Sequence, residues 1–146
     1  MSVDPALIGY APADSTARID RERVAFFART IGIDSGPSVD LDAAVSDGHP
    51  DLVVPPTMLF GVELERSDTF AVYAAHGAPL SKILHGEQRF VYHADVHAGE
   101  ELTFRSVVTD VFEKAGGKLE FILRRTDVLR DGQLVAELHN TGIVRH

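Results

Sequence analysis

The spacing of hydrophobic positions changes along this chain, from a helical period in the first half to strict alternation in the second. One helical stripe is formed by Val24, Phe27, Ala28 and Ile31, at i, i+3, i+4 and i+7. Asp20 precedes this stripe and can cap a helix, and Gly32 follows it as a typical C-terminal stop. We therefore predict an amphipathic helix over about residues 21–31, after an extended leading segment over 1–19.

Residues 33–54 carry no clear period and are rich in residues that favour turns. We predict an irregular segment here, with a brief helical turn around Leu41–Val45. An irregular segment of this length inside a compact domain is usually functional.

A strongly apolar stretch begins at Pro55-Pro56 and runs from Thr57 to Leu64. Proline fits the first positions of a helix, where its missing N–H costs nothing. A helix that is apolar on nearly every side is buried. We therefore predict a central core helix over about 56–65 and a second helical or irregular piece over 68–76.

After Gly77 the hydrophobic positions alternate, which indicates strands. The alternating stretches are residues 85–94, 102–109, 119–123 and 134–138, with turn signals at Gly116-Gly117 and at Arg130-Asp131-Gly132. From one turn signal to the next, these stretches predict strands of about ten residues, which is long, since the common length is ~5–6. The pattern predicts one α+β domain over 1–146, with four consecutive strands in a long antiparallel sheet wrapped around the buried central helix.

The composition excludes several classes of function. The chain has 22 acidic against 14 basic residues and a net charge of −8, which argues against nucleic-acid binding. It has no cysteine, so thiolate nucleophiles, disulfides and Cys-based zinc sites are excluded. We find no signal-peptide pattern and no apolar run of membrane-spanning length, so the expected location is the cytoplasm.

Several segments together resemble the N-terminal MaoC-like dehydratase family, from about residue 20 to the C-terminus. They are Val54–Phe60, Leu84–Gln88 followed by Phe90, Val96–Leu102, and Lys114 with Gly116-Gly117-Lys118. The resemblance implies a hot-dog fold and a dimer, either a homodimer or a heterodimer with another MaoC-like chain. It further implies an acyl-CoA or acyl-carrier-protein thioester bound at the junction of two protomers, with no cofactor.

Active members of that family carry an Asp-x-Asn-Pro-x-His pattern before the buried helix. Adding water across a conjugated thioester needs a base to activate water and an acid to protonate the α-carbon. In this chain Asp34 and Pro37 match the pattern, but Gly36 replaces the Asn and Val39 replaces the His. Valine cannot transfer a proton, so hydratase activity of this chain alone is in doubt.

Other residues could supply the missing acid or base. His85 and Glu87 are two apart on a predicted strand, which places them on one face and makes them a candidate replacement pair. His49 precedes Pro50 in the irregular segment and could fold towards the site. The candidate catalytic residues are therefore Asp34, His85, Glu87 and His49.

The start of the core helix supplies candidate substrate contacts, since amides and hydroxyls there can face a thioester oxygen. These candidates are Pro56, Thr57, Met58 and Gly61. His93 and His97 flank Asp95 at a spacing that metal ligands can have, but a third convergent ligand is not evident from the sequence. We therefore predict no metal site.

Three functions remain open. The first is an (R)-specific enoyl-CoA or enoyl-ACP hydratase (dehydratase), a hydro-lyase acting on the 2,3 bond. The second is a non-catalytic subunit that completes the acyl pocket of a separate catalytic MaoC-like chain. The third is a hot-dog acyl-CoA thioesterase, in which Glu87 or Asp34 would activate water. The missing histidine favours the second over the first as a stand-alone enzyme.

Overall fold

A computed structural model of the chain describes residues 2–65 and 68–146. Its strands are β1 (Ser15–Arg18), β2 (Ile83–Tyr92), β3 (Glu101–Lys114), β4 (Leu119–Arg130) and β5 (Gln133–Arg145). Its helices are α1 (Arg21–Thr30), α2 (Leu41–Ser46), α3 (Met58–Leu64) and α4 (Thr69–Ala75), with 3-10 turns at Pro5–Leu7 and Leu80–Lys82. None of the helices in the described ranges is long and apolar enough to cross a membrane.

The helices lie where the hydrophobic pattern predicts them. The side chain of Asp20 accepts a hydrogen bond from the backbone amide of Arg23 and so caps α1. Asp40 caps α2 in the same way, through the amide of Asp42. The stretch predicted as a second helical or irregular piece forms α4.

The sheet is antiparallel throughout, in the order β1–β3–β4–β5–β2. The prediction of four consecutive neighbouring strands is therefore correct only for β3, β4 and β5. Strand β2 pairs with β5 at the far edge, and residues 93–100 cross the end of the sheet to reach β3. Hydrogen bonds from the amide of His93 to Val135 and from Gly99 to Ile19 hold this crossing segment.

The main core lies between α3 and one face of the sheet, as predicted. Met58, Leu59 and Val62 of α3 are buried against sheet residues that include Leu102, Phe104, Val128, Ala136 and Leu138. The opposite side of α3 is less covered, because Phe60 and Leu64 are only half-buried and Gly61 is exposed. One face of the central helix is therefore free to contact something outside the described core.

Candidate functional site

A cavity lies between the open side of α3, helix α4 and the edge of the sheet formed by β2 and β5. It is lined by Phe60, Leu64, Phe70, Tyr73, Leu80, Ile83, Leu84, His85, Arg124, Asn140 and Gly142. Its walls are mostly apolar, and its polar groups are few. This combination is typical of a small-molecule site in which apolar walls hold the ligand and a few polar groups orient it.

His85 is the candidate catalytic residue that lines this cavity. Its ring lies against the ring of Phe60, with centroids 4.8 Å apart. Its Nε2 is 3.4 Å from Nδ2 of Asn140, which in turn donates to Oε1 of Gln88 at 3.0 Å. A histidine, an asparagine and a glutamine thus form a polar row along the β2–β5 edge.

The predicted pairing of His85 with Glu87 on one face is wrong. The register of β2 on β5 shifts between them, so that His85 lies opposite Gly142 and Glu87 opposite Thr141. Adjacent residues of β5 point to opposite faces, and directly paired residues point to the same one. A β-bulge at Gly86 therefore sends His85 to the cavity and Glu87 to the other face of the sheet.

The remaining catalytic candidates lie elsewhere. Asp34 is exposed in the irregular segment after α1, and Val39 is half-buried in the turn before α2. His49 follows α2 and places its Nδ1 3.0 Å from Nε2 of His97. None of these three lines the cavity that contains His85, so the four candidates do not converge on one point within this chain.

The candidate substrate contacts at the start of α3 differ in exposure. Met58 is buried in the core, whereas Pro56, Thr57 and Gly61 are exposed. The Thr57 hydroxyl makes no capping hydrogen bond. The hydroxyl of Tyr92 donates to the carbonyl of Pro56 at 2.6 Å, and burial raises the pKa of Tyr92. This hydrogen bond fixes the segment that leads into α3.

A buried polar cluster beneath α3 was not predicted. Oε1 of Glu63 accepts from the hydroxyls of Ser106 at 3.0 Å and Thr126 at 2.5 Å. Its Oε2 lies 3.4 Å from Nη2 of Arg124, and the two charged side chains are 3% and 4% exposed. The sequence signal was present, since Glu63 is the one charged residue within the apolar stretch from Thr57 to Leu64. Because Arg124 also lines the cavity, the cluster places a buried cation at its wall.

Comparisons with known proteins agree with this fold. Residues 6–138 match the family described as the FAS1-like dehydratase domain region. A UPF0336 protein of Streptomyces coelicolor is 31% identical over 121 residues, which cover 82% of this chain and 80% of that protein.

Two solved complexes contain similar chains, both from Mycobacterium tuberculosis. A chain of the HadBC (3R-hydroxyacyl-ACP dehydratase) complex superposes with a TM-score of 0.81 at 25% identity, covering 98% of this chain and 99% of that one. A chain of the ChsH1–ChsH2 complex gives 0.71 at 19% identity, covering 92% and 88%. The match to the dehydratase region spans most of the sequence, and the antiparallel sheet with its helices matches the fold of the solved neighbours. The chain therefore belongs to the FAS1-like dehydratase-domain family of MaoC-like hot-dog proteins.

Proposed function

We propose that this chain is the acyl-binding subunit of a heteromeric MaoC-like hydratase or dehydratase, and that a partner chain supplies the acid and base. The observation that carries the proposal is the cavity beside α3, which has apolar walls but lacks a convergent proton-transfer pair among the described residues. Apolar walls suit an acyl chain, because burying each methylene contributes about 0.8 kcal/mol. We expect the subunit to act in the cytoplasm on CoA or carrier-protein thioesters.

The position of the cavity supports a partner. Its lining includes residues of β2, a ten-residue strand at the edge of the sheet. Leu84 on this strand and Leu80 in the preceding 3-10 turn are exposed. A long edge strand with apolar side chains is suited to pairing with another chain. The similar chains in HadBC and ChsH1–ChsH2 belong to complexes of two different proteins. A second hot-dog sheet placed beside β2 would cover the cavity mouth.

In this scheme the chemistry is divided between the chains. Water loses a proton and its oxygen bonds to C3 of the enoyl thioester, while C2 takes up a proton; dehydration is the reverse. The partner's acid and base move these protons. The apolar walls of this chain fix the acyl chain so that C2 and C3 stay aligned with those groups. His85 and Asn140 contact the polar part of the substrate near the cavity mouth.

The thioesterase alternative receives less support. It relies on Glu87 or Asp34 to activate water at the thioester carbonyl. Glu87 faces the opposite side of the sheet from the cavity, and Asp34 lies outside it. A carboxylate must come within hydrogen-bond reach of the water that it activates. Neither residue meets that condition within this cavity.

The test compares this chain alone with the same chain co-purified with a MaoC-like chain that carries the intact Asp-x-Asn-Pro-x-His pattern. Loss of the conjugated-thioester absorbance reports hydration of short and long enoyl-CoA substrates, and free-thiol release reports hydrolysis. We expect no reaction by the chain alone and hydration by the complex. In the complex, Phe60→Ala should raise KM for substrates with long acyl chains more than KM for those with short ones. The matched control Phe26→Ala, at an exposed position on α1, should leave KM unchanged for long and short acyl chains alike.

Other outcomes reject the proposal. Hydration by the chain alone that disappears in His85→Ala would make it a stand-alone hydratase. Thiol release by the chain alone would make it a thioesterase. Equal effects of Phe60→Ala and Phe26→Ala on KM would exclude the cavity as the acyl site.

A further inference from the structure

Two histidines and an aspartate meet at a place that the acyl site does not use. Nδ1 of His49 lies 3.0 Å from Nε2 of His97. One ligand atom from each of His49, Asp95 and His97 lies within 4.8 Å of the other two. None of the three residues lines the cavity beside α3. We propose that they form a binding site for a divalent transition-metal ion, with Zn²⁺ as the representative ion.

Neighbouring residues orient His97 as a ligand. Its Nδ1 is 3.0 Å from Oε1 of Glu100, and the Glu100 carboxylate accepts from Nη1 of Arg130 at 2.8 and 2.9 Å. With the Nδ1 proton of His97 directed at Glu100, Nε2 accepts the hydrogen bond from Nδ1 of His49, and a bound metal ion would replace that hydrogen bond. Carboxylates commonly orient metal-bound histidines in this way.

The 3.0 Å separation is that of a hydrogen bond between the two rings, and it is also close to the spacing of two nitrogen ligands on one metal ion. Zinc binds imidazole nitrogen at about 2.0–2.1 Å, so two such ligands in a tetrahedron lie about 3.3 Å apart. The observed 3.0 Å separation needs only a small adjustment to meet this value. His97 is 8% exposed, so it is already positioned, and exposed Asp95 can complete the set from the same segment.

The kinds of ligand indicate the class of metal. Imidazole suits zinc, copper, nickel and iron, whereas magnesium and calcium prefer sets made of oxygen alone. Two nitrogens and one carboxylate therefore favour Zn²⁺ over Mg²⁺ or Ca²⁺. Three protein ligands leave one tetrahedral position for water.

The site joins two segments that are distant in sequence. His49 lies after α2, and His97 lies in the crossing segment that leads to β3. Backbone hydrogen bonds already link these segments, from the amide of Val54 to Val96 and from that of Ala98 to Leu52. A metal ion would add a side-chain link just before the segment that enters α3. We therefore expect metal binding to stabilise the fold.

The experiment uses the full chain without a histidine tag, after dialysis against EDTA. Calorimetric titration with Zn²⁺ should give one site per chain, and Zn²⁺ should raise Tm. Co²⁺ should give the visible absorption of a four-coordinate ion with nitrogen ligands. His49→Ala and Asp95→Asn should each weaken Zn²⁺ binding by about tenfold or more. These positions are chosen because His97→Ala would also disturb the core.

Two matched controls come from the surface. His93 and His139 both contact the carboxylate of Glu137, outside the proposed set, so His93→Ala and His139→Ala should bind Zn²⁺ like the wild type. The proposal is wrong if Zn²⁺ gives no stoichiometric binding, or if His49→Ala and Asp95→Asn bind it as tightly as the wild type. It is also wrong if Mg²⁺ binds as tightly as Zn²⁺, because imidazole ligands would not produce that result.

Discussion

At the scale of single residues, Glu63 and Arg124 form an ion pair that is almost fully buried between α3 and β4. Removing one member leaves the other charge buried without its partner, which typically costs about 3–5 kcal/mol. We expect Arg124→Met to lower the free energy of unfolding by about that amount. Glu63→Gln/Arg124→Met should recover part of the loss, because the amide can still bind the hydroxyls of Ser106 and Thr126. Urea denaturation of the wild type and of both variants measures these differences in the free energy of unfolding.

An exposed ion pair provides the control for this prediction. Arg23 on α1 bonds to Glu65 through two nitrogens, but both side chains are exposed to solvent. Exposed pairs usually contribute about 0–1 kcal/mol, so Arg23→Ala should have a small effect. Equal losses in Arg23→Ala and Arg124→Met would contradict the account of the buried pair.

The role of a single position was easier to predict from the sequence than the residues that it contacts in the folded chain. The sequence pattern predicts that Val39 stands where active relatives carry the catalytic histidine. The pattern does not predict the contact between His49 and His97, since 48 residues separate them and only the folded backbone brings them together. The sequence offered His93 as the companion of His97, but His93 contacts Glu137 instead. Local spacing alone could not bring His49 into the proposed set.

At the scale of the element, helix α3 contains a glycine whose presence this chain alone does not explain. A Cβ built at Gly61 meets nothing within 4 Å, and the residue is exposed. Alanine is favoured over glycine inside a helix by about 0.8–1 kcal/mol. Gly61→Ala should therefore stabilise the isolated chain by up to about that amount. Thermal denaturation at low protein concentration measures this gain.

The same glycine tests whether a partner covers this face of α3. If a partner packs closely there, Gly61→Leu should weaken assembly with the catalytic chain while the isolated chain stays folded. Native mass spectrometry of the mixture measures the assembled fraction. Normal assembly of both Gly61→Ala and Gly61→Leu would exclude close packing at this position.

The elements themselves were largely predictable because their signals are local. Capping by Asp20 and the apolar stripe specify α1, and glycine-rich turns specify the hairpins of β3, β4 and β5. Strand β1 was not identified, since its four residues bury only Ala17. The bulge at Gly86 was also missed, because alternation cannot indicate where a strand changes register. That omission produced the wrong pairing of His85 with Glu87.

At the scale of the whole molecule, the carboxylate of Glu120 ties the two ends of the chain together. It accepts from the Ser2 hydroxyl and the Val3 amide and lies within 2.5 Å of Nε2 of His146. Burial raises the pKa of Glu120, but the hydrogen bonds outweigh it, and the pKa falls below its usual value of 4.5. The ionised carboxylate therefore stabilises the fold above the unfolded pKa, and this contribution is lost as the pH falls through the folded pKa.

Glu120→Gln tests whether the ionised Glu120 carboxylate stabilises the fold. The variant should be less stable than the wild type at neutral pH, and the difference in free energy of unfolding should narrow as the pH falls below about 4. Urea denaturation at a series of pH values measures the difference. A difference that is constant with pH, or that widens in acid, would contradict the lowered pKa.

The position of β2 could not be predicted from the sequence, because an alternating strand fits beside β3 or beside β5 equally well. The fold places it beside β5 and leaves its other edge open, whereas the opposite edge of the sheet is the four-residue β1. This asymmetry makes β2 the edge that a second sheet can extend. Residues of this edge line the cavity beside α3, so the proposed assembly and the proposed acyl binding would depend on the same surface.

Leu84→Glu tests this connection, since Leu84 lies on β2, lines the cavity and is 50% exposed. A carboxylate there would lose its hydration in any interface. The fraction of this chain that is assembled with the catalytic MaoC-like chain, measured by native mass spectrometry, should therefore fall sharply. The isolated chain should keep its stability within about 0.5 kcal/mol, as is usual for surface substitutions. Ile31→Glu is the matched control, because Ile31 is 49% exposed at the end of α1, away from the cavity. If Ile31→Glu disrupts assembly and Leu84→Glu does not, the partner binds elsewhere than along β2.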